Sequence, residues 1–154
     1  MKKVLSLILL VFWMGLIFSL SNKNGEASGD MSSKLIKNVV VIFTNIEEDS
    51  KEMQDIVNKY SFLVRKSAHF FEYFVLAILT VNMFSSFGIR RNICFYASIF
   101  CIIYAITDEV HQLFIDSRSG QISDVILDSS ASIIGSFLFS KLYVLRGKYE
   151  KKNY

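Results

Sequence analysis

Long apolar runs alternate with short polar links along the whole chain, the runs covering about residues 4–20, 62–87, 93–114 and 122–145. Each is close to the roughly 20 apolar residues that a helix needs to cross the hydrocarbon of a bilayer. The first run is the shortest and follows Lys2 and Lys3, so it has the outline of a secretory leader as well as of a span. No clear small-x-small cleavage site follows it, Glu26-Ala27-Ser28 being a poor one, and it is read here as a retained span. The stretch from residue 21 to residue 60 is polar but patterned. Ser28, Ser32 and Ser33 are of the type that caps helices, and Leu35, Ile36, Val39, Val40, Ile42, Phe43 and Ile46 follow with polar residues between them. The apolar-rich part, residues 34–46, is too short to span and predicts an interfacial helix instead. A charged run over residues 47–52 faces water, and Ile56, Val57 and Tyr60 predict a second helical stretch. The expected fold is all-α: one domain over residues 1–154, a four-transmembrane-helix bundle with an extracytoplasmic interfacial helical segment between spans one and two.

Composition agrees with a membrane protein. Hydrophobic residues make up 52% of the 154 and charged residues 20%, where soluble domains carry more charge and less apolar surface. The net charge is only +3 and there is no basic, aromatic-interleaved stripe, which argues against nucleic acid as a partner. Cys94 and Cys101 lie seven apart in one predicted helix, too far for a disulfide, and are read as small apolar packers. With no proline in the chain, no span is kinked by that route.

Charge also orients the spans, because lysine and arginine collect on the cytoplasmic side. One set of flanks holds Lys2, Lys3, Arg90, Arg91, Lys141, Arg146, Lys148, Lys151 and Lys152 against the single acid Glu150. The other holds residues 21–60, with five lysines and seven acids, and the loop bearing Arg118. The chain is thus expected in the cell membrane as a multi-pass protein with both termini cytoplasmic. Arg65, Lys66, His69 and Glu72 then fall at the outer start of span two, Asp108, Glu109, His111 and Gln112 at the outer end of span three, and Asp124 and Asp128 at the outer start of span four.

Residue type and spacing give these groups chemical meaning. Arg65, His69 and Glu72 share one helical face, as do Asp108, His111 and Gln112. Both histidines of the chain belong to the set. A purely structural account, in which interfacial charges pair with one another, is the alternative; lysine and tryptophan would serve anchoring without imidazole and carboxylate on matched faces. Arg65, Lys66 and Arg118 suit a phosphate or carboxylate head group, with His111, Gln112 and Asp124 as further binding candidates. Histidine titrates near neutral pH and is a natural acid or base, so His69, Glu72, Asp108 and Glu109 are the catalytic candidates. Histidines with carboxylates are also zinc ligand types, but no HExxH-type motif is present and the adjacent arginine and lysine repel a cation; no metal and no cofactor is expected. In span four, Asp124, Asp128, Ala131 and Gly135 form a stripe whose inner half, a small-xxx-small pattern, predicts close helix packing.

At these same residues the chain resembles the VanZ-like membrane protein family. The resemblance rests on Arg65-Lys66-Ser67-Ala68-His69-Phe70-Phe71-Glu72-Tyr73, on Tyr104-Ala105-Ile106-Thr107-Asp108-Glu109-Val110-His111-Gln112-Leu113-Phe114, on Arg118-Ser119-Gly120 and on Asp124-Val125-Ile126-Leu127-Asp128. Trp13, with Ile17-Phe18-Ser19 and Ser21, resembles the family's first span. The resemblance covers nearly the whole chain and implies a multi-span bacterial protein, in a family named for a member linked to low-level resistance to the glycopeptide teicoplanin. It places the family's recurring polar positions on Lys66, His69, Glu72, Asp108, Glu109, Gln112, Arg118 and Asp124. The chain departs from the family where Asp116-Ser117 replace a frequent Pro-Gly, where Asp128 replaces a frequent Asn and where Ala131 replaces a frequent Gly, so the expected site stops short of Asp128.

The expected function is an outward-facing polar site that binds an anionic, lipid-linked, phosphate-bearing envelope molecule, with acid/base groups able to modify it. The expected partners are the lipid bilayer and that molecule. Two other readings stand beside this one: a non-enzymatic membrane binding or transport protein whose acids and histidines relay protons, and a structural or regulatory subunit. The sequence leaves open whether any reaction occurs and how the chain oligomerises.

Overall fold

The computed structural model describes residues 2–44, 46–116, 118 and 120–152, with side chains described as far as Tyr143. Ser117, Ser119 and the side chains of the basic tail from Arg146 onward lie outside the described residues. Five helices follow in order: α1 (Lys2–Ser21), α2 (Gly25–Phe43), α3 (Lys51–Ser86), α4 (Ile93–Gln112) and α5 (Ile122–Lys152). Among the described residues there is no strand. Helices α1, α3, α4 and the part of α5 up to Tyr143 are long and apolar enough to cross a membrane. Their outer faces carry exposed Phe12, Phe62, Phe95, Ile126 and Leu142. A water-soluble bundle would hide so much apolar surface, whereas lipid accepts it.

Several boundaries differ from expectation. Helix α3 begins at Lys51 rather than near residue 62, so the short helical stretch expected before span two is the start of span two itself. The Ser50 side chain caps it by accepting the Met53 N–H, and with neither glycine nor proline between residues 51 and 86 nothing in the sequence stops it. Its 36 residues reach about 54 Å at 1.5 Å per residue, well beyond the roughly 30 Å of hydrocarbon, so its polar first turns stand clear of the apolar layer. It ends at Gly88, whose φ of 92° glycine adopts without strain. There the Gly88 and Ile89 N–H groups bond the Ser85 and Phe84 carbonyls, closing the last turn.

Helix α2 starts earlier than the predicted residues 34–46, because Asn24 and not a serine is its cap: the Asn24 side chain accepts the Ala27 N–H. Ser32 and Ser33 turn their hydroxyls back to carbonyls of their own helix. Helix α2 buries only Ser32 and Ile36 and leaves Val39, Ile42 and Phe43 exposed, the pattern of a helix lying in an interface. Two further differences are at the ends of α4 and α5: α4 stops at Gln112, and α5 continues past residue 145.

The core forms around α3, where Tyr73, Leu76 and Ala77 meet Leu10 and Ile17 of α1, Cys101 and Ala105 of α4 and Ala131 of α5. Both cysteines are free. The small-xxx-small stripe packs as expected: a Cβ added at Gly135 would lie 2.8 Å from the Phe74 carbonyl oxygen and 3.1 Å from the Ala77 Cβ. Helix α1 is bonded into the bundle. Trp13 Nε1 donates to the Glu72 carbonyl at 2.9 Å, Tyr104 Oη donates to the Met14 carbonyl at 2.8 Å, and Ser6 and Ser86 share a hydroxyl bond at 2.7 Å. Trp13→Phe keeps the ring but removes the first of these donors. It should cost about 1 kcal/mol, read as a lower midpoint of thermal unfolding in detergent.

Candidate functional site

The polar groups expected at one depth do gather at one end of the bundle, each held there by its own helix. Arg65, Lys66, His69 and Glu72 project from the middle of α3, Asp108, Glu109 and Gln112 from the last turns of α4, and Asp124 and Asp128 from the first turns of α5. Three helical stretches far apart in sequence thus meet within a few ångströms. One nitrogen of His69 and one oxygen each of Glu109 and Asp128 all lie within 4.8 Å of one another.

A pocket of about 150 Å³ opens beside this cluster. Arg65, His69 and Glu72 of α3 line it, with Asp108 of α4 and Arg118 of the α4–α5 loop. Its other wall has no counterpart in the expected site. The end of α1 and the start of α2 supply Leu20, Lys23, Ser28, Met31 and Leu35, and Val64 adds a further apolar side. The pocket therefore has charged groups of both signs on one side and a largely apolar wall, bearing Lys23 and Ser28, on the other. Lys23, Arg65 and Arg118 form no ion pair with any described residue. The only bond of the Lys23 ammonium among these residues is to Met31 Sδ, at 2.9 Å, and a thioether is a weak acceptor. Burial, and then the neighbouring Arg65 guanidinium, hold Arg118 below its ordinary pKa. Two guanidinium groups thus share the wall of one small pocket.

The other candidates have different places. Lys66 is bonded to Asp124 in an ion pair between α3 and α5, so its charge is already met. Gln112 is buried; it donates to the Ser21 hydroxyl at 2.8 Å and to Asp108 Oδ2 at 3.3 Å, tying α1 to α4. His111 is not brought to the pocket: it stacks on Phe18 at 4.6 Å, with Nε2 3.4 Å from Asn22 Oδ1. Glu109 lies behind the pocket wall, and its Oε2 accepts the Gln121 N–H at 2.9 Å.

Asp128, left out of the expected site, is fully buried, with Oδ2 3.6 Å from His69 Nδ1. Its place one turn after Asp124 on the same helical face is the signal that points to it. For Lys23 and α2 the signal is weaker: a lysine just past a span, then an amphipathic helix.

The loop that carries Arg118 is held by close contact. A Cβ at Gly120 would stand 2.6 Å from the Glu109 carbonyl oxygen and 2.9 Å from Leu113 Cδ2, so only glycine lets the chain pass. Gly120→Ala should lose about 1–3 kcal/mol of stability and loosen the Gln121–Glu109 bond. Unfolding in detergent measures the first, and faster amide hydrogen exchange at Gln121 would show the second.

The decisive comparison is with protein families: a model of the VanZ/LLP1 family matches residues 6–145. The chain belongs to the VanZ/LLP1 family. The match takes in all four apolar helices and every stretch on which the resemblance to VanZ-like proteins rests, so the chain is a multi-pass VanZ-like membrane protein. No curated protein and no solved structure matches it. What this VanZ-like protein does has to come from its own site.

Proposed function

We propose that the pocket binds the phosphate-bearing head of a lipid-linked envelope molecule at the outer face of the membrane. The observation that carries this reading is the combination of Lys23, Arg65 and Arg118, none ion-paired among the described residues, with an apolar wall of Leu20, Met31, Leu35 and Val64 in one pocket. The three cations outnumber the two carboxylates of the lining, Glu72 and Asp108, and the excess favours an anion; arginine grips phosphate with two parallel hydrogen bonds. The apolar wall and the exposed face of α2 suit the first part of a lipid chain. The lysine- and arginine-rich flanks support an orientation with both termini in the cytoplasm, which sets the pocket toward the outside.

His69, Glu72 and Asp108 stand on the same pocket wall and are the groups able to move a proton on a bound head group. The proton-relay alternative is less well supported. Below Asp128 the buried polar groups of α5 among the described residues are Ser132, Ser136 and Ser140; Ser132 and Ser140 donate to carbonyls of their own helix, and the Ser136 hydroxyl bonds no described residue, so the three form no continuous chain. Binding or altering an envelope lipid would change what a glycopeptide meets at the cell surface, which would link this site to the glycopeptide resistance of the member for which the family is named.

The test is binding by the purified chain in detergent of a short polyprenyl phosphate, with the matching polyprenyl alcohol as control. A preference of tenfold or more for the phosphate is expected. Equal binding of both would remove the anion site. Profiling envelope lipids in cells with and without the protein would then show whether the bound molecule is altered.

A further inference from the structure

The pocket does not account for the buried groups beneath it. Asp128 is 0% exposed and Glu109 5%, yet neither oxygen of Asp128 has a hydrogen-bond partner among the described residues, nor has Glu109 Oε1 or His69 Nδ1. Two carboxylates and an imidazole from three helices thus turn unsatisfied atoms toward one point. Burying such groups without partners is costly, and more so when they are charged, so an arrangement that leaves four atoms unsatisfied calls for something between them.

We propose that His69, Glu109 and Asp128 hold a divalent transition-metal ion, with zinc as its simplest representative. The donor set is right: one imidazole nitrogen and two carboxylate oxygens are ligands that zinc accepts. So is the spacing. Two ligands about 2.0–2.2 Å from one tetrahedral zinc stand about 3.3–3.6 Å apart, and His69 Nδ1 and Asp128 Oδ2 are 3.6 Å apart, long for a direct hydrogen bond and right to share an ion. All three donors lie within 4.8 Å of one another, which a small movement of one side chain closes. Charge is balanced as well: two carboxylates neutralise a divalent ion that would otherwise be costly in the apolar layer.

The surroundings support the ligands in the way metal sites are supported. Glu109 Oε2 is fixed by the Gln121 N–H, leaving Oε1 buried and without a partner; the first is an outer bond of the kind that orients ligating carboxylates. Of the two cations expected to repel a metal, Lys66 is neutralised by Asp124, and Arg65 lines the pocket, where the proposed head group would meet its charge. Three protein ligands leave a tetrahedral ion one open position, and His69, which lines the pocket, sets that ion against the pocket floor.

The metal reading stands on residues other than the pocket cations, so the two readings fail separately: metal content does not depend on Lys23 or Arg65, and phosphate binding can be measured with chelator present. The test uses the full chain purified in detergent, stripped with chelator, dialysed against zinc and measured for metal content. About one zinc per chain is expected. Asp128→Asn and Glu109→Gln, which keep side-chain shape, should lower it at least tenfold, while His111→Ala, at the other histidine, leaves it unchanged. Cobalt in place of zinc should give tetrahedral ligand-field bands that the folded Asp128→Asn variant lacks. Far-UV circular dichroism establishes that the variants are folded. Wild-type protein that retains much less than one equivalent of zinc and shows no cobalt bands overturns the proposal, whatever the variants do. So does zinc that survives in folded Asp128→Asn and Glu109→Gln, or zinc that leaves with His111→Ala.

Discussion

Arg118→Ala should lower the affinity of the purified protein for a phosphate-bearing lipid by about ten- to a hundredfold, the size of one charged hydrogen-bonding group at about 1.5–3 kcal/mol. Arg118 lines the pocket without an ion-pair partner among the described residues, and burial, then the nearby Arg65 guanidinium, disfavour its charge. A bound phosphate would turn that repulsion into two attractions, so the gain from the ligand should be larger than at an isolated surface arginine. Arg118→Lys should fall between wild type and alanine, because lysine keeps the charge but not the planar fork. Arg90→Ala is the control: Arg90 is exposed in the α3–α4 link at the far end of the bundle. Titration of the lipid against each variant reads the effect, and equal losses at Arg118 and Arg90 would mean that the charge acts over the whole surface and not in the pocket.

Gly135→Val should be the most damaging single change for the fold, at about 3 kcal/mol, the upper part of the usual cost of overpacking. The added Cβ alone would fall 2.8 Å from the Phe74 carbonyl oxygen and 3.2 Å from Phe74 Cδ2. Backbone on one side and a core ring on the other leave no flexible atom to give way, so α5 must move off α3. That movement would draw Asp124 from Lys66 and Asp128 from His69, and ligand binding would fall together with stability. Gly15→Ala is the matched control, since a Cβ there meets nothing within 4 Å. Thermal unfolding in detergent distinguishes them, and similar midpoints for the two variants would mean that α3 and α5 are not pressed together at Gly135.

Much of this architecture is legible in the amino-acid sequence. Apolar run length yields four spans, and the alternation of flanks places Arg65, His69, Glu72 and Asp108 at one depth, where they do share a pocket. Helical periodicity gives the face of each residue on its own helix. It does not give the rotation of one helix about its axis relative to the next, because packing between helices sets that. Hence Lys66, on the flank of the His69 face, reads as a ligand-binding cation when its partner is Asp124 on another helix. His111, three residues after Asp108, reads as its companion, yet the turn of α4 carries it onto Phe18. Asp128 falls outside the expected site because of how the family usually fills that position, whereas its complete burial against His69 follows from the close approach of α5 to α3 at Gly135. The contribution of α2 is hidden for a different reason. A polar link with a weak amphipathic pattern says that a helix lies in the interface, but not what it lies against.

The contact between Trp13 and Glu72 has a practical consequence. The chain has a single tryptophan, and its indole N–H is bonded to the carbonyl of a residue whose side chain lines the pocket. Ultraviolet emission of the unlabelled protein therefore comes from one fluorophore fastened to the turn of α3 that bears the site. Any occupant that shifts that turn will change its colour or brightness, so the protein carries its own optical gauge of occupancy.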